Sequence, residues 1–357
     1  MHIWIIWAAV LAALALAGWG AARFLPRPQP ASRSARSMGG MATLTLGAGC
    51  AGRLDAIAPQ VQEIFDRLER ELSAHRPDSA ISLLAQRAGA APVALSPDAW
   101  RVLELALHFD ALSEGACDVT IAPLVRLWNI GSAPNTTGTP SEEAIREKLK
   151  LVDSRRVVLE SRTAFLPLPG MALDLGGIAK GYAVDRAYDF CLSAGIKHFL
   201  IDLSGNIRVC GRPQWGRQWQ IGVRNPFERS RILGSIALHS GLALATSGSY
   251  ERFVEIMGQR YAHIINPRTG WPAAGMAGVT VLSPDATTAD GLSTALFVLG
   301  LKGCGKLLEK VPPAEVLMVP DKYPVEIWLS RGLAASFVPL PEFSSALRVF
   351  DPSSPPA

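Results

Sequence analysis

Between Met171 and Gly195 the hydrophobic period changes from two to helical within a few residues, which predicts a strand-to-helix connection. Met171, Leu173 and Leu175 alternate with Ala172 and Asp174, predicting a strand over 171–175. Gly176-Gly177 then make a turn. From Ile178 the spacing is helical, with Ala179, Ala183 and Ala187 as a close-packing face and Gly195 as the stop. Such a unit can present free N–H groups, the positive end of a helix dipole and Lys180 to an anion. The order of glycines and lysine is neither a Walker A loop nor a dinucleotide fingerprint. The residues alone leave an anion cradle and a tight turn with a surface lysine equally open.

Helical spacing recurs over Gln60–Ser73, Asp98–Leu112, Ser141–Leu149, Ile178–Ala194, Thr287–Leu299 and Lys302–Lys310. Strand patterns fall over Arg156–Glu160, Phe199–Leu203, Trp219–Val223, Ile232–Leu238, Leu242–Thr246, Val279–Leu282 and Glu315–Val319. Helices and strands mix without strict βαβ alternation, which predicts an α+β domain rather than a doubly wound parallel sheet. With 357 residues, 49% of them hydrophobic, the chain can bury a large core.

The net charge of +4 is scattered rather than gathered into a basic stripe with aromatics, which argues against a nucleic-acid partner. The five cysteines form no CxxC pair, so neither a zinc site nor a disulfide framework is expected. Ile3–Gly20 is free of charge and near the lower length for a bilayer-spanning helix. Residues 1–24 are therefore expected to be a signal peptide or membrane anchor, and 25–37, rich in Pro, Ser and Arg, a linker. A catalytic domain would span 38–340 and a tail 341–357. The domain is expected to be anchored at an inner membrane or exported to a periplasm.

Three further clusters carry candidate chemistry. His263 lies in an apolar strand that ends at the Asn266–Gly270 turn, where a near-neutral imidazole could take a proton from a hydroxyl. Asp290, Ser293 and Thr294 fall at i, i+3 and i+4 on one helical face, an oxygen set suited to Mg²⁺ or simply a helix cap. Asp118, beside a Gly-Ala turn, either meets a ring N–H or caps the next turn.

Taken together, "LSAHRPDS", "GACDVTIAPLVRLW", "DLGGIAKGYAVD", "SGNI", "TSGSYER", "HIINPRTGWP" and "ADGLSTALFVLG" closely resemble the ApbE family of FAD:protein FMN transferases over Met38–Leu340. The resemblance implies that FAD is split at its diphosphate with Mg²⁺ assistance. FMN would pass to a Thr or Ser hydroxyl of an acceptor flavoprotein, a membrane redox subunit being the natural candidate, and AMP would be released. It implies flavin contacts at Met38, His75, Ala116, Cys117, Asp118, Asp174, Lys180 and Ile265. It implies a metal site at Asp290, Ser293, Thr294 and the Gly177 backbone, with Asp290 essential to turnover and His263 as base. Departures from the family pattern are His75 for an aromatic residue, Ala85 for Asn, Ser204 for Gly, Asn266 for Asp, and Ser293 where some relatives have a second carboxylate. An Mg²⁺-dependent FAD pyrophosphatase and a non-catalytic flavin binder are the competing readings.

Overall fold

Apolar residues at alternate positions build a single large sheet in which spatial order follows chain order. The structure, a computed structural model, describes residues 29–130, 138–311 and 313–352. The strands are β1 (Ala31–Ser37), β2 (Gly40–Leu46), β3 (Phe199–Leu203), β4 (Asn206–Cys210), β5 (Ala243–Gly248), β6 (Met276–Ser283), β7 (Glu315–Pro320), β8 (Ile327–Ser330) and β9 (Leu347–Phe350). Every neighbouring pair is antiparallel except β8 and β9. This is a meander with long helical excursions, in keeping with the α+β expectation.

The helices are α1 (Leu54–Leu72), α2 (Pro97–Leu112), α3 (Ala122–Trp128), α4 (Ala179–Ser193) and α5 (Ala286–Lys310); α1, α2, α4 and α5 share one core with a face of the sheet, and α3 packs separately with Ile145 and Ile265. Leu44, Ile201, Val281 and Met318 point into the shared core. The other face carries a three-stranded sheet of Trp219–Arg224, Ile232–Leu238 and Phe337–Pro339. Val209, Leu244, Leu317 and Leu329 pack against it. β7 is buried on both faces, which is why its sequence, Glu315–Pro320, reads as a nearly continuous apolar run. The two helices expected over 287–299 and 302–310 are both present within α5, separated at Gly300, whose φ is +64°.

Four expectations need correction. Residues 171–175 join no ladder: Met171, Ala172, Leu173 and Leu175 are all buried in the helical layer, so their alternation reports core burial rather than strand pairing. Ala31–Ser37, expected within the linker, forms the edge strand β1, where Ser32 and Ser34 pair with Thr45 and Thr43 at 2.8 Å. An edge held by hydroxyl pairs shows no apolar period. Leu347–Phe350, expected within the tail, adds β9 beside β8. His263 lies just beyond the end of the strand Gln259–Ala262 rather than inside it. The segment expected to reach the membrane, residues 1–24, lies outside the described residues.

Candidate active site

The polar cluster forms where α4 packs against α5. Helix α5 begins with its N–H groups already satisfied: Asp285 accepts from Thr288 N at 2.8 Å, and Asp185 accepts from Ala286 N and Thr287 N at 2.9 and 2.8 Å. One turn later Asp290 is 4% exposed, and its Oδ2 accepts the Gly181 N–H of α4 at 2.9 Å. Burial pushes the Asp290 carboxyl above its ordinary value, while the Lys180 charge, the Gly181 N–H and the Asn206 amide favour its ionised form.

The face expected from the i, i+3, i+4 spacing is present but divides its work. Ser293 is wholly buried, donates to the Asp290 carbonyl at 2.9 Å and shares a 2.8 Å hydrogen bond with Ser247 of β5. Thr294 is half-buried and lies against Gly177, where an added Cβ would stand 3.1 Å from Thr294 Oγ1. Ser247 also comes within 3.4 Å of Thr294 Oγ1. Asp290, Thr294 and the Gly177 backbone therefore remain as oxygens suited to a hard cation, with Ser293 as their support. Among the described residues no group of three or more His, Cys, Asp or Glu side chains gathers as a metal cluster. One carboxylate with neutral oxygens fits Mg²⁺, which keeps waters and ligand phosphates, better than it fits zinc.

In the Gly176-Gly177 turn, Gly176 N donates to Asp174 Oδ1 at 2.7 Å, and Ile178 N and Ala179 N both donate to the Leu175 carbonyl. Those N–H groups are spent on the turn itself. Cationic character comes from Lys180, whose Nζ donates to the Gly176 carbonyl at 3.1 Å. His263 is within electrostatic reach of Lys180 and Asp174. Its Nδ1 lies 3.1 Å from the Arg252 carbonyl, so the tautomer that donates there leaves Nε2 as the acceptor. Burial, with the Lys180 and Arg252 charges, lowers the imidazole to about 4. The ring is neutral at pH 7.

Arg252 Nη2 also donates to the Gly39 carbonyl at 3.0 Å, which brings the Met38-Gly39 turn between β1 and β2 to the same end of the sheet. Cys117 feels the charges of Asp110, Asp290, Asp118 and Asp174, and burial first pushes its thiol up to about 12, so it stays protonated. Ala116 is buried beside it. Asp118 accepts from Thr120 N and Oγ1 at 2.7 and 2.6 Å and from Ser154 N at 3.0 Å, which is the capping role. Ile265 is buried with Leu124, Trp128 and Ile145, and Trp128 Nε1 donates to the Gly270 carbonyl at 2.8 Å. His75 stands apart, exposed in the turn after α1, and among the described residues no hydrogen bond or charge interaction links it to the others.

Spacing along the chain missed Gly181, Asn206, Ser247 and Arg252. Asn206 is 2% exposed, and among the described residues its Oδ1 has no hydrogen-bond partner. Ser247 and Arg252 lie in the hydroxyl-rich TSGSYER run.

A meander sheet with a helical layer that gathers a buried carboxylate, hydroxyls, a lysine and a neutral histidine defines an α+β class known from solved structures. The flavin transferase ApbE from Vibrio cholerae superposes with a TM-score of 0.77 at 29% identity, covering 86% of this chain and 99% of that one. The ApbE protein from Thermotoga maritima gives 0.74 at 31% identity, covering 90% and 100%. In sequence, an FAD:protein FMN transferase from Treponema pallidum is 35% identical over 308 residues, 79% of this chain and 84% of the relative. One from Vibrio cholerae is 34% identical over 242 residues, 68% and 72% respectively. The ApbE family model matches residues 38–318. The chain belongs to the ApbE family.

Proposed function

We propose that this chain transfers FMN from FAD to a Thr or Ser hydroxyl of an acceptor protein and releases AMP. The observation that supports it is the meeting of Asp290, Thr294, Lys180 and neutral His263 at one end of the sheet in an ApbE-family chain. The acceptor oxygen forms a bond to the FMN phosphorus as the diphosphate P–O bond to AMP breaks. The hydroxyl proton passes to His263 Nε2, and the bond pair leaves with AMP. Lys180 sets a positive charge beside the diphosphate, and the rigid α4–α5 contact positions it, which is where most of the rate in such transfers originates. Asp290, Thr294 and the Gly177 carbonyl would hold Mg²⁺, which supplies charge neutralisation for the diphosphate.

The departures at His75 and Ala85 leave this constellation untouched. If residues 1–24 anchor or export the domain, the acceptor is a redox subunit at the inner membrane or in the periplasm. The test is incubation with FAD, Mg²⁺ and a candidate acceptor. Flavin fluorescence that stays with the acceptor after denaturation, with one AMP per flavin, is the expected result. AMP with only free FMN makes the chain a pyrophosphatase, and bound FAD without AMP makes it a binder.

A further inference from the structure

The strand register places two different ends on the main sheet. Ala31 pairs with Leu46, Leu46 with Phe199, and Phe199 with Cys210, so the start of β1 and the loops at 47–53, 196–198 and 211–217 share one end. The turns at Met38-Gly39 and Ser204-Gly205 are at the other, with Arg252 and His263. The two ends are about 20 Å apart along β1.

The Ala31 end carries Trp215, fully exposed on its loop, together with exposed Arg53, Lys197, Arg212 and Arg217. Among the described residues none of these four cations forms an ion pair, whereas Asp55, the carboxylate beside Arg53 in sequence, is neutralised by Arg33 at 2.5 Å. The loops are knit together: Gly47 N donates to the His198 carbonyl at 2.7 Å, Ala48 N to the Pro213 carbonyl at 2.8 Å, and Arg212 N to His198 Nδ1 at 3.1 Å. The tryptophan and its arginines thus stand on a braced platform.

The uncharged run Ile3–Gly20 is joined to Ala31 by ten residues, 21–30. A fully extended segment of that length spans at most about 35 Å. A run seated in a bilayer therefore keeps the Ala31 end close to that bilayer.

We propose that this end of the sheet docks on a bilayer with anionic headgroups, with Trp215 at the interface and Arg53, Lys197, Arg212 and Arg217 over the lipid phosphates. The inference rests on the reading of residues 1–24 as membrane-directed. A tryptophan flanked by arginines is suited to the headgroup layer, apolar on its ring face and polar at its N–H. Each cation near an anionic surface raises partitioning roughly fivefold. Docked in this way, the domain turns its Met38, Arg252 and His263 end away from the lipid.

The test uses the full chain with vesicles of phosphatidylcholine alone or mixed with phosphatidylglycerol, read by flotation and by amide exchange. Flotation on both compositions is expected, because the apolar run needs no lipid charge. Amides at 48–53 and 211–217 should exchange about tenfold more slowly on the anionic vesicles. The double variant Arg212→Glu/Arg217→Glu should float equally, lose that protection and release AMP at the parent rate. Equal exchange on the two compositions, protection that survives the double variant, or protection of the Met38-Gly39 turn instead overturns the docking surface while leaving the anchor in place. A chain that floats on neither composition overturns both.

Discussion

The backbone N–H of Gly181 donates to Asp290 Oδ2 at 2.9 Å, joining α4 to α5 across 109 residues of sequence. The contact exists because position 181 has no side chain. A Cβ there would lie 2.2 Å from the Ala286 carbonyl oxygen and 2.8 Å from Asp290 Cβ. Gly181→Ala is expected to cost about 1–3 kcal/mol of stability and most of the turnover, because the helices must part. Gly177→Ala meets the Thr294 side chain first, at 3.1 Å, so it should lower turnover with little change in thermal unfolding. Thermal melts and AMP release on both variants check the ranking.

Asp290→Asn keeps the shape and removes a charge that burial disfavours. The variant should unfold at the same temperature as the parent or higher in metal-free buffer, and lose at least about a hundredfold in AMP release. Mg²⁺ should raise the melting temperature of the parent and not of the variant. An unchanged rate would make the Asp290 face purely structural.

His263→Gln should retain FAD and slow transfer by about 10²-fold. Because the free protein holds the imidazole at about 4, the acid limb of kcat/KM is expected near pH 4 rather than at the ordinary histidine value. The same depression has a sign for stability. Between the ordinary value and about 4 the unfolded chain binds more protons, so stability falls as pH falls through that window. Denaturant titrations across it should show a shallower slope for His263→Gln.

Local periodicity made β3 and the strand Ile232–Leu238 legible to the residue, because their apolar alternation coincides with sheet pairing. It also made the Asp290 face legible, since i, i+4 neighbours are set by the helix alone. The same signal failed at 171–175, where alternation arises from burial among helices. It missed β1, whose partners are hydroxyls. Gly181 and Ser247 were illegible as site residues because their partners, Asp290 and Ser293, are distant in sequence. Spacing records which residues share an element, and these contacts lie between elements.

Asp110, at the end of α2 before the Ser113–Asp118 loop, is 6% exposed and accepts from Ser154 Oγ, while among the described residues its Oδ1 has no partner. Burial, with the Asp118 and Asp153 charges, raises its carboxyl to about 6 against the opposing hydrogen bond from Ser154 and the weaker pull of Arg155. Between the ordinary carboxylate value and about 6 the folded chain holds a proton that the unfolded chain has lost, so this group's stabilisation is present at low pH and is lost as pH rises through about 6. Asp110→Asn removes the ionisation and can still accept from Ser154. It should leave stability at pH 4 near the parent value and raise it at pH 8 by on the order of 1–3 kcal/mol. Chemical denaturation of parent and variant at the two pH values measures the difference. A gap that is the same at both, or reversed, would remove Asp110 as the source of the pH dependence.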